Sequence, residues 1–332
     1  MTEIQSILAA LGGVEGQPAA LATLVSVRGS SYRRPGARAL LVPPSVKVGS
    51  VSGGCLEEDI TLRLRSVLAS GVPQLVTYDT TAENDLVWGV GLGCQGIVQV
   101  LVERVPAARP GWIAALAANL REGRGTDLAV TFAGRPPEQW GTALGTASVS
   151  PPAAGVFTER IEPGPRLVIF GAGADAQPLG RMAQEVGWRV TVVDSRAAFA
   201  VRERFPEADA VFAIPAASVD EHVELDAGTF AVVMSHRYQE DLNVLRILLG
   251  RSLAYLGILG PRKRTERILS QLEAEGAVID PDTLRKVCAP VGLDLGATTP
   301  ETIALSILAE MQCRLTGRAP IPLRERNAAI HG

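Results

Sequence analysis

The sequence is short of several features that would have fixed its class at once. No apolar run reaches the ~18 residues of a membrane-spanning helix. The N-terminus, MTEIQSILAALGG, carries an acid and lacks the basic start of a secretory leader, so a cytoplasmic location is expected. Basic charge is not in excess: 32 basic residues stand against 35 acidic ones, for a net charge of −3. That balance argues against nucleic acid or an anionic membrane as a partner. The four cysteines, Cys55, Cys94, Cys288 and Cys313, have no C-x-x-C spacing, so neither a zinc ribbon nor a disulfide framework is implied. Histidine is scarcer still. There are three, His222, His236 and His331, and they offer no acid–base pair suited to hydride chemistry.

What is present is a chain of 332 residues, 47% hydrophobic and 20% charged, long enough for two cored domains. The most informative stretch is RLVIFGAGADAQPLGRMAQEVGWRVTVVDSR, from Arg166 to Arg196. An apolar strand (Val168 to Phe170) runs into Gly171 and Gly173, a helix begins near Asp175, and a second strand, Val190 to Val193, ends on Asp194. This is a βαβ unit with a nucleotide-binding turn. Gly171 permits the sharp turn. Gly173 leaves room for a phosphate, and the helix N-terminus behind Ala174 offers N–H groups and a positive dipole end. Ala176 replaces the third glycine at a position that serves helix–strand packing. Asp194 falls at the roughly 20-residue spacing where a carboxylate takes a ribose diol. Arg196 beside it leaves both ribose and 2′-phosphate open.

Before this unit, apolar residues at helical spacing stop at Gly12-Gly13, and a strand from Ala19 to Val27 leads into RGSSYRRPGAR. That loop places Arg28, Arg33, Arg34 and Arg38 around Pro35-Gly36, which reads either as a solvated turn or as an anion clamp. In VGSVSGGCLEED a strand breaks at Gly53-Gly54, and Cys55 is expected to open a helix. There the dipole favours a thiolate while Glu57 and Glu58 oppose it. Cys94 lies in a second glycine-lined loop, ahead of a strand from Ile97 to Val102. Prolines then punctuate residues 135–165, which read as a linker. Beyond it strands and helices alternate, as a parallel sheet requires. The reading is therefore an α/β chain with an N-terminal α/β domain (1–134), the linker (135–165), a Rossmann-like doubly wound parallel sheet (166–318) and a tail (319–332).

Eight segments in order, SYRRPGARALL, SGGCLEED, LGCQG, FGAGADAQPL, VTVVDSR, RFPEAD, YLGILGPRKR and PVGLDLGATTPETIALSILAE, resemble the XdhC/CoxI family of xanthine dehydrogenase accessory proteins. The resemblance spans roughly residues 4–105 and 166–315. It implies a molybdenum-cofactor chaperone without turnover of its own. Such a protein binds molybdopterin, with or without an attached nucleotide, keeps it available for sulfuration by a cysteine-desulfurase-like partner and delivers it to a xanthine dehydrogenase-type molybdenum hydroxylase. On this reading Gly53, Gly54, Cys55, Glu57, Arg33, Arg34 and Cys94 form one set of cofactor-binding residues, with Cys55 and Cys94 as contacts for molybdenum or its sulfur. Gly171, Gly173, Ala174, Asp194, Arg196 and Arg262 form the other, and a homodimer is expected. Two positions depart from the family pattern: Gln95 follows Cys94 where the family has glycine, and Arg237 follows His236 where it has aspartate. The residues themselves leave two rivals open, an NAD(P)-dependent oxidoreductase and a nucleotide-binding sensor or scaffold.

Overall fold

The computed structural model describes residues 2–14, 16–44, 46–79, 96–146, 154–277, 279 and 284–327. Cys94, the loop from Thr80 onward and His331 lie outside the described residues. The chain divides into two compact units, Thr2–Pro163 and the residues from Gly164 onward. Among the described residues no helix is long and apolar enough to cross a membrane.

In the first unit, strands β1 (Ala19–Gly29), β2 (Arg38–Val42), β3 (Val46–Gly49), β4 (Gln74–Asp79) and β5 (Gly96–Val105) make an antiparallel sheet of order β3-β2-β1-β5-β4. Side chains alternate across a strand, and β1 is apolar on both faces because both are covered. Ala20, Ala22 and Leu24 meet Ile60, Leu64 and Val67 of helix α2 (Glu57–Ser70). Ala19 and Leu21 share a core with Ile7 and Leu11 of α1 (Glu3–Gly12) and with Trp112 and Leu116 of α3 (Gly111–Arg121).

Residues 135–165 are not the linker that their prolines indicate. They supply β7 (Gly141–Leu144) and β8 (Val156–Ile161), which flank β6 (Thr126–Thr131) in a second antiparallel sheet. Two buried charges of the first sheet explain why this stretch is held. Glu103 of β5 accepts from the Thr142 N–H at 2.9 Å and from its hydroxyl. Arg38 of β2, 2% exposed, pairs with Glu159 of β8. Burial drives the Glu103 carboxyl above the ordinary carboxylate range, although the Thr142 hydrogen bonds and Arg38 pull against it.

The second unit is the expected doubly wound sheet. Strands β9 (Arg166–Phe170), β10 (Arg189–Asp194), β11 (Ala210–Ala213), β12 (Thr229–Val233), β13 (Tyr255–Ile258) and β14 (Val287–Cys288) lie parallel in the order β11-β10-β9-β12-β13-β14. Helices α4 (Ala176–Glu185) and α8 (Pro300–Thr316) cover one face, through Leu179, Ala183, Ile307 and Met311. On the other lie α5 (Val219–His222), α6 (Tyr238–Leu248) and α7 (Arg262–Ala274), through Val219, Leu242, Leu245 and Ile268. The strand order reverses between β9 and β12. That reversal opens a crevice at the carboxyl ends, where ligands of such sheets bind.

Candidate functional site

The crevice begins where β9 ends. Gly171 has φ +123°, and a Cβ there would lie 2.6 Å from the backbone of Met234 and Ser235. Only glycine lets the two strand ends approach so closely. Gly173 is different: a Cβ on it would meet nothing nearer than His236 Cδ2, at 3.8 Å. The space over Gly173 is therefore open toward the N-terminus of α4. Asp175 occupies the N-cap of that helix without capping it. Its carboxylate instead stands 2.9 Å from His236 Nε2, an acid–base pair at the mouth of the turn that the sequence does not reveal. Ala176, fully buried, packs in the core as its place in the fingerprint predicts.

His236 projects from the loop after β12 with φ +59°, a backbone conformation uncommon outside glycine and noteworthy beside a ligand crevice. A buried network holds that loop. Ser235 Oγ accepts from the Arg237 N–H at 3.1 Å and donates to Asp241, whose other oxygen faces Arg264 Nη1 at 2.6 Å. Of the basic run at the start of α7, Arg264 is thus turned inward, while Arg262 and Lys263 stay exposed.

Asp194 lies where the spacing places it, at the end of β10, but its lone pairs are engaged. Oδ2 accepts from the Ala172 N–H at 2.7 Å and from Arg196 Nη2 at 2.6 Å; Oδ1 accepts from Arg196 N and Nε, each at 2.9 Å. Burial works to raise this carboxyl, yet the bonds from Arg196 and Ala172 outweigh it and hold it below the ordinary carboxylate range. In this structure Asp194 fastens the glycine turn to Arg196.

The first unit carries the other candidate set. Helix α2 starts at Glu57 with Leu56 as its N-cap, so Cys55 precedes the helix and does not open it; its side chain is exposed. Glu57 shapes the loop from below. Its Oε1 accepts from Ser50 Oγ, Ser52 N and Ser52 Oγ at 2.9, 3.0 and 2.9 Å, and Ser52 Oγ in turn accepts the N–H groups of Gly54 and Leu56. Gly53 lies against the Tyr32 ring, where a Cβ would come within 3.2 Å. The arginine loop and the Ser52–Cys55 loop are thereby neighbours. Within the arginine loop Arg33 pairs with Glu3, and Arg38 is buried against Glu159. Arg34 remains exposed. Among the described residues no three histidine, cysteine, aspartate or glutamate side chains gather as a metal site. Cys288 belongs to the second core: burial, then the Glu310 charge, push its thiol up to about 11, which leaves it protonated at neutral pH.

A Rossmann domain forms one unit and a sheet with a glycine–cysteine loop the other, and the chain belongs to the XdhC and CoxI family. The family model described as "XdhC and CoxI family" matches residues 14–79, and the one described as "XdhC Rossmann domain" matches residues 167–311. A Bacillus subtilis protein, named as a probable subunit of xanthine dehydrogenase, is 33% identical over 315 residues, covering 89% of this chain and 92% of its own length. The molybdenum cofactor insertion chaperone PaoD of Escherichia coli is 25% identical over 298 residues, covering 90% and 84%. A crystal structure from Bacillus halodurans, described as a xanthine dehydrogenase, superposes with a TM-score of 0.79 at 31% identity and covers 96% of this chain and 97% of its own.

Proposed function

We propose that this protein is a molybdenum-cofactor chaperone, which binds the molybdopterin cofactor, protects it during sulfuration by a cysteine-desulfurase-like partner and passes it to a xanthine dehydrogenase-type hydroxylase. The observation that carries this reading is the likeness, over 90% of the chain, to a protein named as a molybdenum cofactor insertion chaperone. The name of the Bacillus subtilis relative agrees with a hydroxylase as the recipient.

The residues suit such a cargo. The open space at Gly173 and the N–H groups of α4, which no side chain caps, fit an anionic phosphate. The exposed Cys55 thiol, on a loop fixed by Glu57, suits a soft metal or its sulfur. When bound, the cofactor supplies the metal centre that the recipient enzyme uses. The chain's own residues hold it without transforming it. Cys94 joins Cys55 in this proposal, and a homodimer is part of it; sedimentation of the purified protein tests the latter.

The decisive experiment is to purify the protein from cells making molybdopterin, oxidise it and measure pterin fluorescence. A stoichiometric signal that falls when apo-hydroxylase is added and activated supports the proposal. Protein free of pterin after such expression overturns it. The His236–Asp175 pair favours one other reading, a nicotinamide-dependent oxidoreductase, whereas the saturated Asp194 weighs against it. Turnover dependent on NAD(P) would decide for that reading.

A further inference from the structure

Among the large hydrophobic side chains described, Tyr32 is the most exposed, at 69%. A folded chain ordinarily buries so large an apolar ring, so one turned outward points to a ligand or a partner. The segment that carries it is anchored on both sides. Strand β1 runs into it at Gly29, Arg33 beside it pairs with Glu3, and the Ala37 N–H closes a turn onto the Arg34 carbonyl at 3.1 Å. The Arg38 N–H then donates to the same Glu3 at 2.8 Å.

One face of the ring is already covered. A Cβ on Gly53 would stand 3.2, 3.2 and 3.5 Å from Cδ1, Cγ and Cδ2 of Tyr32. Near-equal distances to the two δ carbons place Gly53 over the face of the ring and not at its edge. Glycine there lets the ring lie flat on the Ser52–Cys55 loop, and the opposite face is left to solvent.

The rest of this corner decides what that face takes. The N–H groups of Ser52, Gly54 and Leu56 are engaged by Glu57 Oε1 and Ser52 Oγ, and Arg33 is engaged by Glu3. Glu57 and Glu58 add negative charge behind the loop. An anion is poorly served here. A flat, uncharged heteroaromatic ring is well served, because stacking needs only a free π face and the loop keeps that face in place. Cys55, exposed three residues after Ser52, lies on the same loop.

We infer that Tyr32 is a cofactor-binding residue, on whose outer face the pterin ring of the cargo stacks, in the first unit and on the loop pair that carries Cys55. The inference rests on the chaperone reading, and it adds which residue takes the pterin.

Variants of the full chain test it. Tyr32→Phe keeps the ring, Tyr32→Leu keeps apolar bulk without a π face, and Tyr32→Ala removes both. Each is purified from cells making molybdopterin, and its pterin content is read by fluorescence after oxidation. Free 6-hydroxymethylpterin is also titrated into pterin-free protein, with binding followed by the pterin's own emission. Tyr32→Phe should match the wild type in both measurements, whereas Tyr32→Leu and Tyr32→Ala should bind the free pterin about tenfold more weakly and retain less of the cofactor. Thermal melts confirm that the variants are folded, as an exposed side chain allows. Equal binding by the wild type and Tyr32→Ala, or a wild type that does not bind the free pterin, overturns the inference. So does a Tyr32→Ala protein that keeps its pterin but no longer activates apo-hydroxylase, since Tyr32 would then touch the recipient enzyme. Wild-type protein that emerges from such cells without pterin defeats the chaperone reading instead, and the titration alone then decides on Tyr32.

Discussion

Two glycines two residues apart do opposite work. At Gly171 a methyl group would be driven to within 2.6 Å of the β12 backbone, on a residue whose φ is +123°. Gly171→Ala should therefore destabilise the protein by about 3 kcal/mol or more, as strained backbone and overpacking together do, visible as a large loss in Tm. At Gly173 the space is open, so Gly173→Val should melt close to the wild type yet lose affinity for phosphate ligands, because the branched side chain fills the ligand's place. Wild-type affinity in a folded Gly173→Val protein would show the turn to be structural only. Asp194 makes a pH prediction. Its folded pKa lies below the ordinary value, so its contribution is present above that value and is lost as pH falls through the folded one. Thermal melts should show the gap between wild type and Asp194→Asn widest near neutrality and closing below about pH 4.

At the scale of elements, α8 is held at its start by a reciprocal cap: Thr299 Oγ1 accepts the Thr302 N–H, and Thr302 Oγ1 accepts the Thr299 N–H. Thr299→Ala should cost about 1 kcal/mol, measurable by urea titration, because Ala304, Ile307 and Met311 of this helix sit in the core. Thr299-Pro300-Glu301 carries the signature of such a cap, since capping is a local rule. Also legible were β9 and β10 of the parallel sheet, whose largely apolar runs fit strands covered on both faces. β14, with two residues, is too short to carry a pattern. β7 and β8 were hidden by prolines that stand around the strands and not in them. At the site, the glycine turn could be read because it is one contiguous segment, whereas His236 meets Asp175 across 61 residues of chain. The loop at Cys55 was legible as a loop. Its support was not, because the three hydrogen bonds that Glu57 Oε1 accepts depend on how the serines turn.

For the molecule as a whole, each unit has its own core and its own sheets. Separate chains ending at Pro163 and beginning at Gly164 should each give a cooperative melt. A fragment without a transition, seen by circular dichroism, would show that the division is one of shape and not of stability.

The position of β9 also has a kinetic consequence. Its Arg166 is in register with Arg189 of β10 on one side and with Thr229 of β12 on the other. The first pairing closes through a single helix, while the second must wait for a much longer loop whose closure entropy is greater. Folding should therefore complete the β9–α4–β10 half first and the seam with β12 last. The crevice that Gly171, Gly173 and His236 share lies on that seam, so it is expected to form late, after the folding barrier. A ligand bound there should slow unfolding and leave the folding rate unchanged, so that only the unfolding arm of a stopped-flow chevron moves when ligand is added.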